Sequence, residues 1–293
     1  MKKHLALPAL AVLGGAAAFL LRLLQNRTGF EAETGLPVPG NVPGLALIAL
    51  LVLLAVVTCV LVGKLPGEQS PAFPADFSTT EPKLLVLPVM GVLLIALSGL
   101  VDLAQGLGIS LPSVPNLNDA YVLTAAMEVW FPGPFFSQKA LLLMGLLSLA
   151  SAAGLFLAVV SCRPREGRKP VPAAALLSAP AALVVRLVLT YRIDSVNPAL
   201  GAYYVELLAL VFLTLGFYRL SAFAVQAGRT RRFALYAVPA VVLSLAALAD
   251  RSIANQSAPL LYLGGALTLL GFLLLRLCRP ADGCEVHHST SEE

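Results

Sequence analysis

Apolar residues fall in about eight long runs along this chain, separated by polar connections. The runs lie at about residues 4–24, 43–63, 84–105, 138–161, 170–191, 199–221, 232–250 and 258–278, and each is rich in Leu, Ala and Val throughout. A helix of about 18 or more apolar residues is long enough to cross a hydrocarbon layer of about 30 Å with modest tilt. A barrel strand would instead alternate over about ten residues, which these runs do not do. The pattern predicts an all-α, polytopic integral membrane protein with about eight transmembrane helices. The first run follows Lys2 and Lys3 and resembles a signal peptide at its start, but the stretch Leu5 to Leu24 is long for one and no small-residue cleavage site precedes a soluble domain. It reads as the first span.

Two connections are long. Residues 64–83, with Pro66, Pro71, Pro74 and Pro82, read as an irregular loop. Residues 106–137 open with Pro112, Pro115 and Asn116; Asn118 or Asp119 is placed to cap a short helix running to about Trp130, ended by Pro132-Gly133-Pro134. Its aromatic residues Tyr121, Trp130, Phe131, Phe135 and Phe136 suit an interfacial helix at headgroup level. The stretch Asn26 to Gly35 reads as a polar turn, and Pro88 and Pro239 as kinks in the third and seventh spans.

Composition agrees with the pattern. Of 293 residues 58% are hydrophobic and 12% charged, against about 25% charged in soluble domains. The formal net charge of +4 does not indicate a nucleic-acid partner, because the basic residues cluster beside spans without interleaved aromatics. Lys2, Lys3, Arg163, Arg165, Arg168, Lys169, Arg229, Arg231, Arg232, Arg276 and Arg279 all fall on one side of an eight-span thread. The positive-inside rule then places both termini in the cytoplasm of a cell-membrane protein. Cys59, Cys162, Cys278 and Cys284 lie in or near that side, where disulfides are not expected. Cys278 and Cys284 with His287 and His288 read as a ragged tail rather than a metal site. No metal and no cofactor is expected.

A repeat is visible four spans apart. Residues 93–102 and 241–250 pair apolar or small with like at every position and both close on aspartate, Asp102 and Asp250. Cys162-Arg163-Pro164 after the fourth span recurs as Cys278-Arg279-Pro280 after the eighth, and Leu21-Arg22-Leu23 recurs as Val185-Arg186-Leu187. These anchors suggest two tandem four-span units, residues 1–165 and 166–280, with a disordered cytoplasmic tail at 281–293. An even number of crossings per unit gives a parallel repeat about an axis along the membrane normal. The connections at 106–137 and 251–257 differ in length and do not follow the repeat.

Ionised side chains inside a bilayer cost several kcal/mol near its centre, so they gather where water or a counter-charge awaits. The candidates are Arg22, Asp102, Arg186, Glu206, Asp250 and Arg276. Arg276 is close enough to the cytoplasmic end to snorkel. The other five lie toward the outer side. Arg186 and Glu206, at similar depth on consecutive helices, form the first expected pair; Arg22 with Asp102 and Asp250 with Arg186 are the equivalent pairs within the two halves. Tyr203, three residues before Glu206, shares its helix face. Each of these residues also has a plain reading, as a packing ion pair or an interface residue.

Catalytic and nucleotide motifs are missing. There is no Gly-Lys-Ser/Thr phosphate loop, no Gly-x-Ser-x-Gly and no His-Glu-x-x-His, and His4, His287 and His288 sit at the chain ends. The sequence therefore favours a small membrane transporter or permease-like subunit with an outward-facing polar site formed by Arg186, Glu206, Asp102, Arg22, Asp250 and Tyr203. Its partners would be the lipid bilayer and a small-molecule or ion substrate. A non-catalytic assembly or sensory protein, and an intramembrane enzyme acting on a lipid, are the alternatives.

Overall fold

In the computed structural model the eight apolar runs are eight helices: α1 (Ala6–Thr28), α2 (Val42–Gly63), α3 (Pro82–Gly106), α4 (Gln138–Ser161), α5 (Ala173–Asp194), α6 (Leu200–Ser221), α7 (Thr230–Ala247) and α8 (Ala258–Leu277). The structure describes residues 5–31, 37–65, 73, 75–79, 81–109, 136–163, 171–194, 200–250 and 257–278. All eight helices are long and apolar enough to span a bilayer, so the chain is an all-α, multi-pass membrane protein. The expected interfacial helix at about 119–130 and the tail at 281–293 lie outside the described residues.

Helix ends follow local chemistry. Asn41 caps α2, its Oδ1 accepting from the Gly44 N–H at 2.9 Å, and Ser137 caps α4 through the Ala140 N–H at 3.3 Å. The polar segment Asn26 to Thr28 does not turn but continues α1 by one helical turn. The reason is tertiary: Asn26 Nδ2 donates to the Ala249 carbonyl at 2.8 Å, which ties that extra turn to the end of α7. Conversely, α7 stops at Ala247, and Asp250 stands just beyond the helix. Pro88 and Pro239 both lie inside continuous helices.

The helices are not equally buried. Between α2 and α8 the buried share of the span rises from 22% to 72%, which puts α2 at the lipid-facing edge and α8 at the centre. Helix α3 packs along α4 and α8, α4 on α5, α5 on α6, α6 on α7, and α7 on α8. These contacts close a circuit of six helices. Helix α1 lies outside it against α7, and α2 packs on α1. Small residues bring backbones close at the crossings, as membrane helices require in the absence of a hydrophobic force between them. At the α3–α8 crossing a Cβ on Gly264 would stand 2.7 Å from the Gly91 carbonyl oxygen. Where α3 meets α4, a Cβ on Gly145 would stand 2.9 Å from the Gly99 carbonyl.

One end of the bundle holds the start of α1 and the finish of α8; it is called proximal here, and the opposite end distal. At the proximal end the connection after α2 is more than an irregular loop. Its described part is Phe73 and residues 75–79, with a 3-10 turn at Ala75–Phe77. Phe77 is fully buried and meets Phe223, Phe233 and Phe272 edge-on with ring centroids 5.1, 6.3 and 5.6 Å away. Arg276, expected to snorkel without a role, instead donates to Asp76 Oδ1 at 2.8 Å and to Thr230 Oγ1 at 2.9 Å. Asp76 offers it a buried counter-charge that open interface does not, so the side chain turns inward.

Candidate functional site

Apart from Arg276, the charged residues singled out in the sequence gather at the distal end, and the two arginines there have exchanged partners. Arg22, on the last turns of α1, lies where α1 packs on α7, and its Nε donates to Asp250 Oδ1. Arg186, on the last turns of α5, donates from Nη2 to Asp102 Oδ2 near the end of α3. The pairs expected within each half are thus replaced by pairs between the halves. Arg186 likewise does not take Glu206 as its partner; its hydrogen bonds run to α3 and α8. Helix packing decides this, because residues adjacent in sequence order are not the ones whose side chains face each other across the bundle.

Two polar clusters result. In the first, Arg22 Nη1 also donates to Gln25 Oε1 at 2.9 Å, and Asn26 Nδ2 donates to Asp250 Oδ1 at 3.1 Å. The Arg22 guanidinium carbon lies 5.2 Å from the centre of the Tyr204 ring, a cation–π contact. In the second, Ser257, at the N-cap position of α8, donates to Asp102 Oδ1 and accepts from Arg186 Nη1 and Nη2 at 3.3 Å each. Ser98 Oγ donates to the Ser257 carbonyl at 3.1 Å. Both Asp102 oxygens are therefore engaged, whereas Asp250 Oδ2 is buried without a hydrogen-bond partner.

Helix α6 joins the clusters. Tyr204 and Glu206 are two residues apart, about 200° around a helix. Tyr204 faces Arg22, while Glu206 Oε1 accepts from the Tyr262 hydroxyl of α8 at 2.8 Å. Tyr262 thus gives Glu206 a hydroxyl; Tyr203, which shares the helix face of Glu206, is half-buried. Arg22, Asp102, Arg186 and Glu206 are 0%, 0%, 3% and 8% exposed, so the whole belt is nearly dry. At such burial an ionised group is tolerable only when paired and hydrogen-bonded.

Beneath the second cluster lies a narrow cavity of about 20 Å³, room for about one water molecule. Its walls come from α3, α4, α5, α6 and α8: Ile95, Ser148, Ser151, Leu155, Ala179, Ala182, Leu183, Arg186, Leu213, Phe217, Leu261 and Gly265. The lining is apolar except for Ser148, Ser151 and Arg186. Arg186 is the charged residue in the wall, at its distal end. Its counter-charge Asp102 and the carboxylate Glu206 are not part of that lining. Among the described residues no group of three or more His, Cys, Asp or Glu side chains is arranged to hold a metal ion.

Sequence reading missed Ser257, Tyr262, Tyr204, Gln25 and Asn26. A signal existed for Ser257, which precedes Ala258-Pro259 at the start of an apolar run and so occupies a cap position. Nothing in the spacing of Tyr262 or Tyr204 separates them from ordinary interface tyrosines. No protein-family model, no curated protein and no solved structure matches the chain.

Proposed function

We propose that this chain is a small membrane transporter or permease-like subunit whose solute site is the cavity headed by Arg186. The observation that carries the reading is the placement of one cation at the end of an otherwise apolar chamber inside a ring of five helices. Its single cation suits a small solute with one anionic group, and the helices would have to part to admit it. The anionic group would exchange for Asp102 at the Arg186 guanidinium, and Ser148 and Ser151 would meet polar atoms further in. Glu206, which accepts from Tyr262, would be the group that takes up a proton. The basic residues flanking the proximal ends of the helices support cytoplasmic termini and a distal site facing outward. The two Arg–Asp pairs, reciprocal between the tandem units, support the duplication.

The test is uptake of short-chain carboxylates into proteoliposomes across a range of pH, comparing the parent with Arg186→Gln and Glu206→Gln. Loss of flux in Arg186→Gln and an altered pH profile in Glu206→Gln are expected. Parental flux in both variants, or no flux of any anion in the parent, would sink the transport reading.

One observation favours a second reading. The two distal arginines are paired with aspartates and almost fully buried, as an assembly protein needs if its ion pairs only set helix positions. That reading expects Asp102→Asn combined with Arg186→Gln to behave as the parent in every functional assay.

A further inference from the structure

We propose that Phe73 and residues 75–79 form a latch over the proximal end of the bundle, and that its release exposes Cys162 and the aromatic cup around Phe77.

The segment is bonded across the end of the bundle, onto the ends of α4 and α6 and onto α7 and α8. Phe73 N–H donates to the Phe223 carbonyl, in the turn after α6, at 3.3 Å. Thr79 N–H donates to the Cys162 carbonyl, just past α4, at 3.0 Å. Between these points Asp76 accepts from Arg276 on α8, and Phe77 packs on Phe272 of the same helix. On α4 and α8, the anchors Cys162 and Phe272 lie seven residues beyond the wall residues Leu155 and Gly265. Seven helical residues are about 10 Å of axis. On α6, Phe223 follows the wall residue Phe217 in the same direction. The segment therefore lies at the end of the bundle opposite Arg186, beyond the proximal limit of the cavity wall.

Its fastening is of a kind that releases as a unit. A single buried carboxylate, Asp76, at 1% exposure, holds a guanidinium that also lies 5.8 Å from the centre of the Phe223 ring. The rest is Phe77 in a cup of rings, Phe73 beside it, and the two backbone hydrogen bonds. An ordinary connection between spans needs neither a buried charge nor a buried phenylalanine. If Asp76 is neutralised, Arg276 loses its charge-assisted partner, and the packing of Phe77 and Phe73 with two backbone hydrogen bonds is left to keep the segment down.

Cys162 reports the latch directly, since it is fully buried beneath the Thr79 contact. The experiment uses the full-length chain in nanodiscs with Cys59, Cys278 and Cys284 replaced by serine, and follows N-ethylmaleimide labelling of Cys162 by mass spectrometry. The parent labels slowly. Asp76→Asn and Phe77→Ala label about ten- to a hundredfold faster, as the loss of a buried charge-assisted or packing contact implies. Amide exchange in the distal half of α4 stays protected in both variants. Asn41→Ala, which loosens a distal cap, keeps the parental labelling rate. If Asp76→Asn does not fold, Phe77→Ala decides alone. Parental labelling rates in the latch variants overturn the proposal. So does acceleration accompanied by loss of protection along all of α4, which means general unfolding rather than release.

Discussion

The Arg186–Asp102–Ser257 cluster shows what one buried charge demands of its neighbours. Asp102 accepts from Arg186 through one oxygen and from Ser257 through the other. Removing either charge leaves its partner ionised in a dry site, a cost of about 3–5 kcal/mol, whereas removing both together costs much less. Asp102→Asn and Arg186→Gln should each lower thermal stability in detergent markedly, and the double variant should recover most of the loss. Strictly additive losses would mean that the two side chains do not act as a pair. The Arg22–Asp250 pair should be the more tolerant of the two, because Asp250 lies beyond its helix and leaves one oxygen without a partner. At this scale the sequence showed which residues are costly. It did not show their partners, since charge and depth are equally consistent with several pairings.

Among the helices, α8 matters most to the architecture. It is the most buried span and meets α3 where Gly264 and Gly91 put backbone against backbone. A larger side chain at Gly264 meets a carbonyl oxygen and backbone atoms rather than the yielding tip of a side chain. Gly264→Leu should therefore force α3 and α8 apart and cost at least about 1–3 kcal/mol, the usual penalty for overpacking. Thermal unfolding of the purified variant measures this, and a parental midpoint would rule out the close crossing. The same crossing carries Ser98 to the Ser257 carbonyl, so the variant should also disturb the Arg186 cluster. Helix existence was legible from hydrophobic runs, and most ends agreed within a turn. Asn26 to Thr28 departed because the end of α7 accepts the Asn26 amide, a contact that local preference does not contain.

For the whole molecule, the two Arg–Asp pairs are reciprocal. Each joins an arginine late in the first helix of one four-span set to the aspartate that ends the matched segment of the other. Helix packing is less even-handed, because α8 lies along α3 whereas α7 packs on α1, α6 and α8. Eight spans put both termini on one side, and the positive-inside bias predicts that side to be the cytoplasm. A reporter fused after Glu293 should be fluorescent in the cytoplasm and silent as an extracytoplasmic phosphatase. The reverse result would move the Arg186 site to the inner face.

The sequence alone determined solvent, fold class, the number of spans and the short list of ionised residues at membrane depth. These follow from local quantities: the length of apolar runs against bilayer thickness, and the free energy of a charge in hydrocarbon. Tertiary structure alone decided that Arg186 faces Asp102 rather than Glu206, that Tyr204 and Tyr262 join the belt, and that Asp76 and Phe77 fold back over the proximal end. Each of those outcomes depends on which helix lies beside which. That order is set by close packing of small residues and by satisfaction of buried polar groups over separations of up to 228 residues, and no window along the chain records it.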